Sequence, residues 1–110
     1  MRYLFAVIAN TNEPALASES EMEAIDAFND KIEAAGQRIL AVGISGPDTA
    51  LTFDNRDDKN VVVRGPVLDA EEFMAGLWIL EVDSHETAKA LAAEASRACN
   101  RKIEIRQIFG

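Results

Sequence analysis

An α+β fold with an antiparallel sheet is what the sequence predicts. One short run is apolar at every position and a second is broken only by Glu81, two helical segments carry capping signals, and a β-hairpin pattern stands between the halves. In chain order the elements read β-α-β, hairpin, β-α-β. Without the hairpin this is the ferredoxin-like split β-α-β arrangement, with both helices on one face of four strands.

Tyr3 to Ala9 (YLFAVIA) is short and apolar throughout, and Asn10, Asn12 and Pro14 follow it. It reads as a central strand buried on both faces. Ser18 to Glu21 (SESE) has capping-box spacing and opens the first helix. Met22, Ile25, Phe28, Ile32 and Ala35 make its inward stripe, and Gly36 can take the left-handed position that ends it. Arg38 to Ile44 is the second strand, stopped by Gly46-Pro47.

Between Leu51 and Arg64 two short apolar segments flank the polar RDDK, which predicts a hairpin turning at Asp57, Asp58 and Lys59. Residues 69 to 73 (DAEEF) read as one helical turn before the strand from about Ala75 to Val82. Asp83 and Glu86 stand in capping-box spacing at the start of the second helix, whose stripe is Ala88, Leu91, Ala92 and Ala95. KIEIRQI alternates, with Ile103 and Ile105 on one side and Lys102, Glu104 and Arg106 on the other, as an edge strand should.

The two apolar runs, Tyr3 to Ala9 and Leu77 to Val82, fall on the strands that this topology places in the middle. Two helices cover one face only. In both strands the alternate sets are apolar, Leu4, Ala6 and Ile8 against Tyr3, Phe5 and Val7, and Leu77 and Ile79 against Trp78, Leu80 and Val82. Whichever face the helices leave open would form an apolar patch beyond the few hundred Å² common on soluble monomers, and the hairpin can cover only part of it. A second copy of the sheet can cover it with closed two-fold symmetry, so a homodimer through the sheet face is expected, a dimeric α+β barrel with a cleft beside each sheet.

Composition narrows the function classes. The chain of 110 residues is expected to form one domain. Nineteen acids against eleven Lys and Arg give a net charge of −8, and the basic residues do not cluster, so nucleic acid and acidic membrane surfaces are not expected partners. No apolar run approaches a membrane span. Cys99 is the single cysteine, consistent with a reducing, cytoplasmic setting.

The stretch VVVRGPVLDAEEFMAGLWILEVDS resembles the YCII-related family in its DGPF subgroup, whose members carry an Asp-Gly-Pro-Phe corner, an acidic stretch, then Gly-Gly-aromatic and an apolar strand ending in Glu-Val. Gly65, Pro66, Gly76, Glu81 and Val82 match; Arg64, Val67 and Ala75 depart from the motif. MRYLFAVI, IEAAGQRILAVGI and IEIRQI resemble the family's other segments. The resemblance implies a dimeric α+β barrel, mostly without established activity. Some relatives pair a His early in the first helix with an Asp after the second, and one branch is linked to dehalogenating lyase chemistry on aromatic rings. Alignment through AAGQRIL puts Ile25 at the His position and finds no matching Asp in ASRACNRK, so the dyad is absent and its acid-base role does not carry over.

Other chemistry is sparse. His85, the only histidine, is the one candidate catalytic group, because the positive end of the helix favours its neutral form; a solvated histidine at a helix start is the commoner case. Arg64 beside Gly65 and Pro66 can hold a carboxylate or phenolate at a cleft mouth, or simply pair with Asp69 or Glu72. Tyr3 and Trp78 can floor a pocket for an aromatic ligand or belong to core or interface. No metal site and no cofactor is expected. The leading expectation is a binder of a small organic molecule. The alternatives are a cofactor-independent lyase or monooxygenase-like enzyme acting on a small aromatic acid, and a protein interaction module.

Overall fold

The structure, a computed structural model, describes residues 1–14 and 16–110. Six strands and two α-helices run in the order β1 (Arg2–Asn10), α1 (Glu19–Ala34), β2 (Arg38–Gly43), β3 (Leu51–Asp54), β4 (Val61–Arg64), β5 (Glu72–Glu81), α2 (His85–Cys99) and β6 (Lys102–Ile108). Four strands form an antiparallel sheet ordered β2-β5-β1-β6, while β3 and β4 pair only with each other. The two apolar runs are thus the inner strands, and the alternating segment is an edge.

One face of the sheet carries the core. Tyr3, Phe5, Trp78, Leu80 and Val82 are buried against Phe28 and Ile32 of α1 and Ala88, Leu91, Ala95 and Cys99 of α2. Small residues on α2 let the helix lie close to the strands. Phe28 meets Trp78 edge to face, with ring centroids 5.2 Å apart, and the buried indole N–H donates to Asn29 Oδ1 at 2.8 Å. That bond satisfies the one polar atom the ring carries into the core.

The helix ends follow local chemistry. Ser18 Oγ accepts from the Glu21 N–H, and Glu21 Oε1 accepts from the Ser18 N–H, closing the capping box. At the other end Gly36 has φ +69°, and the pair Gly36 N–H to Glu33 O and Gln37 N–H to Ile32 O is a Schellman closure.

Three expectations need correction. The residues 69–73 form no helical turn: β5 already begins at Glu72, and its start pairs with the end of β1, Glu72 opposite Asn10 and Phe73 opposite Ala9. The cap of α2 is Ser84 rather than Asp83, because the Ser84 hydroxyl accepts from the Thr87 N–H one residue further along. The α1 stripe is also shorter inside than expected: Phe28 and Ile32 are buried, but Met22 and Ala35 are exposed and Ile25 is half-buried.

Between β1 and β5 the register slips at Val7/Ile8, so Ala75 has no partner on β1 and bulges. Its carbonyl accepts instead from the Ile44 N–H at 2.9 Å. The bulge splays this end of the sheet, as bulges do near sites. Gly76 lies beside it, facing Gly43 across the strands; a Cβ on Gly76 would come within 2.8 Å of the Val42 carbonyl oxygen. Close strand approach explains why that motif position is a glycine.

Candidate functional site

At the splayed end a cavity of about 590 Å³ opens between the sheet and the helix layer. Val7 and Ala9 of β1, Phe73 and Ala75 of β5 and Ile25 of α1 form its apolar wall, with Ile44 and Pro47 on the loop after β2. Cys99 closes it from the end of α2. The polar part of its lining is Asn10, Thr11, Glu13, Asp48 and Arg101. The volume lies inside the range of about 300–1,000 Å³ of small-molecule pockets. A shallower extension of about 460 Å³ shares Val7, Ile25, Ala75 and Cys99 and runs along α1 to Asn29 and Trp78.

The position of Arg101 follows from the end of α2. Asn100 takes the left-handed conformation, φ 54°, that stops the helix, and the chain turns back toward β1. The Arg101 side chain is 11% exposed and fully occupied: Nε lies 2.9 Å from Glu13 Oε2, one terminal nitrogen lies 3.6 Å from Glu21 Oε2 and donates to Asn100 O, and the other donates to Pro14 O. Asn100 Nδ2 also donates to Glu21 Oε2 at 3.1 Å. The backbone N–H of Ser18 holds the Glu21 carboxyl below its usual pKa, with the Asn100 amide next in effect and Arg101 adding to both. Two carboxylates therefore face one guanidinium at the cavity's polar side.

Burial raises the pKa of Cys99, so its sulfur remains a protonated thiol at neutral pH and contributes apolar surface rather than a nucleophile. Ile25, which the family resemblance aligns with the catalytic histidine of some relatives, sits on the wall. Its side chain neither accepts nor donates a proton. Among the described residues no group of three His, Cys, Asp or Glu side chains is placed to hold a metal ion.

The residues singled out from sequence lie in three separate places. Tyr3 and His85 meet at the opposite end of the sheet, where Tyr3 Oη and His85 Nδ1 are 2.9 Å apart and the rings are tilted at 34°. Tyr3 is buried and His85 exposed. Trp78 lines the extension but not the main cavity. Arg64, Gly65 and Pro66 stand at the base of the β3–β4 ribbon: the Gly65 N–H donates to Ala50 O at 2.8 Å, and Gly65 O accepts from Thr52 Oγ1. Arg64 is exposed and forms no ion pair among the described residues; Glu72, one of its candidate partners, pairs with Lys102 at 2.7 Å. Tyr3, His85, Arg64, Gly65 and Pro66 line neither the cavity nor its extension.

Asn10, Glu13, Phe73 and Arg101 were not singled out. Each comes from a different segment, and only the Asn-Arg pair closing the helix in CNRK carried a local signal, since Asn is among the few residues that readily turn left-handed.

A two-helix layer on a β2-β5-β1-β6 antiparallel sheet, with a cavity at the splayed end, defines a ferredoxin-like α+β protein with a small-molecule-sized pocket. The chain matches the YCII-related domain over residues 1–110 and belongs to that family. Among solved structures it is similar to an uncharacterized protein from Thermotoga maritima, at a TM-score of 0.51 and 11% identity, covering 98% of this chain and 96% of that one. At that identity the likeness speaks for the fold alone. No curated protein matches the chain. No helix is long and apolar enough to cross a membrane among the described residues.

Proposed function

We propose that this YCII-related protein binds a small organic molecule in the cavity walled by Ile25 and Phe73, and that it does so without acid-base catalysis of its own. The supporting observation is the cavity itself: a mostly apolar body of about 590 Å³ with a few polar groups in its lining, and on its wall Ile25, the position that the family resemblance aligns with a proton-transfer group in some relatives. Arg101, the one cation of its lining among the described residues, is already engaged by Glu13 and Glu21. An anionic ligand would have to displace one of these carboxylates and would face Asp48 as well. The ligand class favoured is therefore neutral or cationic, with an apolar ring or chain against Phe73 and a hydrogen-bonding end toward Asn10 and Glu13.

Benzylamine, benzyl alcohol and benzoate form a size-matched test series. Thermal shift and amide chemical-shift mapping should show the amine or alcohol binding at the cavity and benzoate binding at least tenfold more weakly. Ala17 lines the cavity from the loop before α1, and Ala17→Trp should fill it and abolish the response while the fold persists. A cavity that takes none of the three in the wild-type protein, or binding that Ala17→Trp leaves unchanged, removes this reading.

The same reading includes a homodimer formed through the open sheet face. Leu4, Ile8, Leu77 and Ile79 are only half-buried on that face, and Leu40, Val42 and Met74 are exposed beside them. Hiding such a patch stabilises association by about 25 cal/mol per Å² before the entropic cost.

A further inference from the structure

Among the described residues the β3–β4 ribbon pairs with no other strand, and its apolar side chains stand exposed. Leu51, Phe53 and Val62 share one of its faces, in the register Phe53 opposite Val62 and Leu51 opposite Arg64, and are 59%, 69% and 54% exposed. An isolated two-stranded ribbon is marginal in water. The ribbon also makes the molecule long for its size: the radius of gyration is 15.9 Å, against about 13 Å expected for a chain of this length.

We infer that the ribbon is a dimer arm, whose Leu51-Phe53-Val62 face lies on the β2 side of the open sheet face of a second copy. The inference rests on the homodimer reading and names its missing contact. The β6 side of that face carries Lys102, Glu104 and Arg106, whereas the β2 side carries Leu40, Val42 and, from β5, Met74. The ribbon face, apolar apart from Arg64 opposite Leu51 at its base, therefore has one favourable landing.

Area selects the occupant. A stable interface needs about 800 Å² from each partner. Leu40, Val42 and Met74 are only about two-fifths exposed, and at on the order of 100 Å² per aliphatic and 200 Å² per aromatic side chain the ribbon face adds about twice their contribution. Neither patch approaches that area by itself, even with the half-buried Leu4, Ile8, Leu77 and Ile79 counted, and of the two the ribbon face offers the larger exposed apolar area. Two-fold symmetry covers both patches on both copies with no further molecule.

Sedimentation equilibrium across dilution, with amide exchange of residues 51–64, tests the arm. The wild-type chain should dimerise, and its ribbon amides should be protected in the dimer and exchange rapidly once diluted to monomer. Phe53→Lys and Leu40→Lys should each raise the dimer Kd at least thirtyfold, with far-UV circular dichroism unchanged for Phe53→Lys because the ribbon stands off the body. A Phe53→Lys dimer within threefold of wild type, while Leu40→Lys weakens it, overturns the arm and leaves the sheet-face dimer standing. A wild-type monomer at all concentrations overturns both readings and assigns the ribbon to another partner. The concentration dependence of ribbon exchange in wild type decides the matter even where a lysine variant fails to fold.

Discussion

The same two strands present two faces of opposite fate. Toward the helices, Tyr3, Phe5, Trp78 and Leu80 are at most 5% exposed; toward the other side, Leu4, Ile8, Leu77 and Ile79 remain half-buried and their β2 neighbours Leu40 and Val42 are exposed. Hydrophobicity alone does not distinguish the two sets. What differs is the cover, because both crossover helices pack on one side of a split β-α-β sheet. The difference teaches that an apolar residue on a central strand has its energetic role set by topology: core on one side, uncovered apolar surface on the other.

Substitutions across the strands sharpen that contrast, and the largest effect belongs to the covered face. Phe5→Ala should lose about 3–5 kcal/mol of unfolding free energy, the range for emptying a buried aromatic site. Leu40→Ala, on the open face, should change the stability of the dilute monomer by less than about 1 kcal/mol. Urea denaturation at a concentration where the chain is monomeric compares the two directly. Equal losses would mean that the open face is packed within the monomer, and the contrast would fail.

The two glycines that face each other between β2 and β5 give the next effect. Gly76→Ala puts a methyl within 2.8 Å of the Val42 carbonyl oxygen, a backbone atom that moves only if the strands separate. Gly43→Ala meets nothing closer than the Ala75 carbonyl oxygen at 3.8 Å, an ordinary contact. Overpacking at Gly76 should cost about 1–3 kcal/mol, with Gly43→Ala close to neutral. Thermal melts of the two variants side by side decide it, and a Gly76→Ala protein as stable as wild type would mean that this end of the sheet opens freely.

Much of the fold was legible because its signals are local or periodic. Capping-box spacing placed α1 within a residue, and apolar residues at successive positions marked β1 and β5 as inner strands. Errors arose where two local readings competed. Asp83-x-x-Glu86 and Ser84-x-x-Thr87 are both competent starts for α2, and only the geometry selects the serine hydroxyl. DAEEF has helix-forming residues, but pairing with β1 extends the backbone from Glu72, and the Thr11 N–H donates to Glu71 O just before it. The site was much less legible. Its wall draws Ile25, Phe73 and Arg101 from distant segments, and a one-dimensional pattern does not reveal that an arginine in a polar stretch is nearly buried between two glutamates.

Trp78 allows the covered face to be divided into packing and hydrogen bonding. Trp78→Phe keeps most of the contact with Phe28 and removes the indole donor to Asn29 Oδ1. The loss should be about 1–2 kcal/mol, since Asn29 is half-buried and water can reach its amide. The double-mutant cycle with Asn29→Ala measures the pair. A coupling near zero would leave packing alone as what fixes the ring.

The smallest effect concerns how the cover is fastened at its cavity end. Glu21 joins α1 to the turn after α2: its carboxyl accepts from the Ser18 N–H and from Asn100 Nδ2, and lies near Arg101. These contacts lower its pKa from 4.5 in the folded protein, the Ser18 N–H first and the Asn100 amide second. Since the folded value lies below the unfolded one, the stabilisation is present in full above the unfolded value and is lost as pH falls through the folded value. A carboxyl-detected NMR titration should therefore place the Glu21 midpoint below 4.5. Asn100→Gly retains the left-handed turn while deleting the amide, so it should move the midpoint upward but leave it below 4.5, because the helix cap persists. Glu21→Gln should remove this component of acid sensitivity as the pH falls below 4.5. If Asn100→Gly leaves the midpoint where it was, the carboxyl serves only its own helix, and the two helices are held over the sheet by apolar packing without this polar fastening.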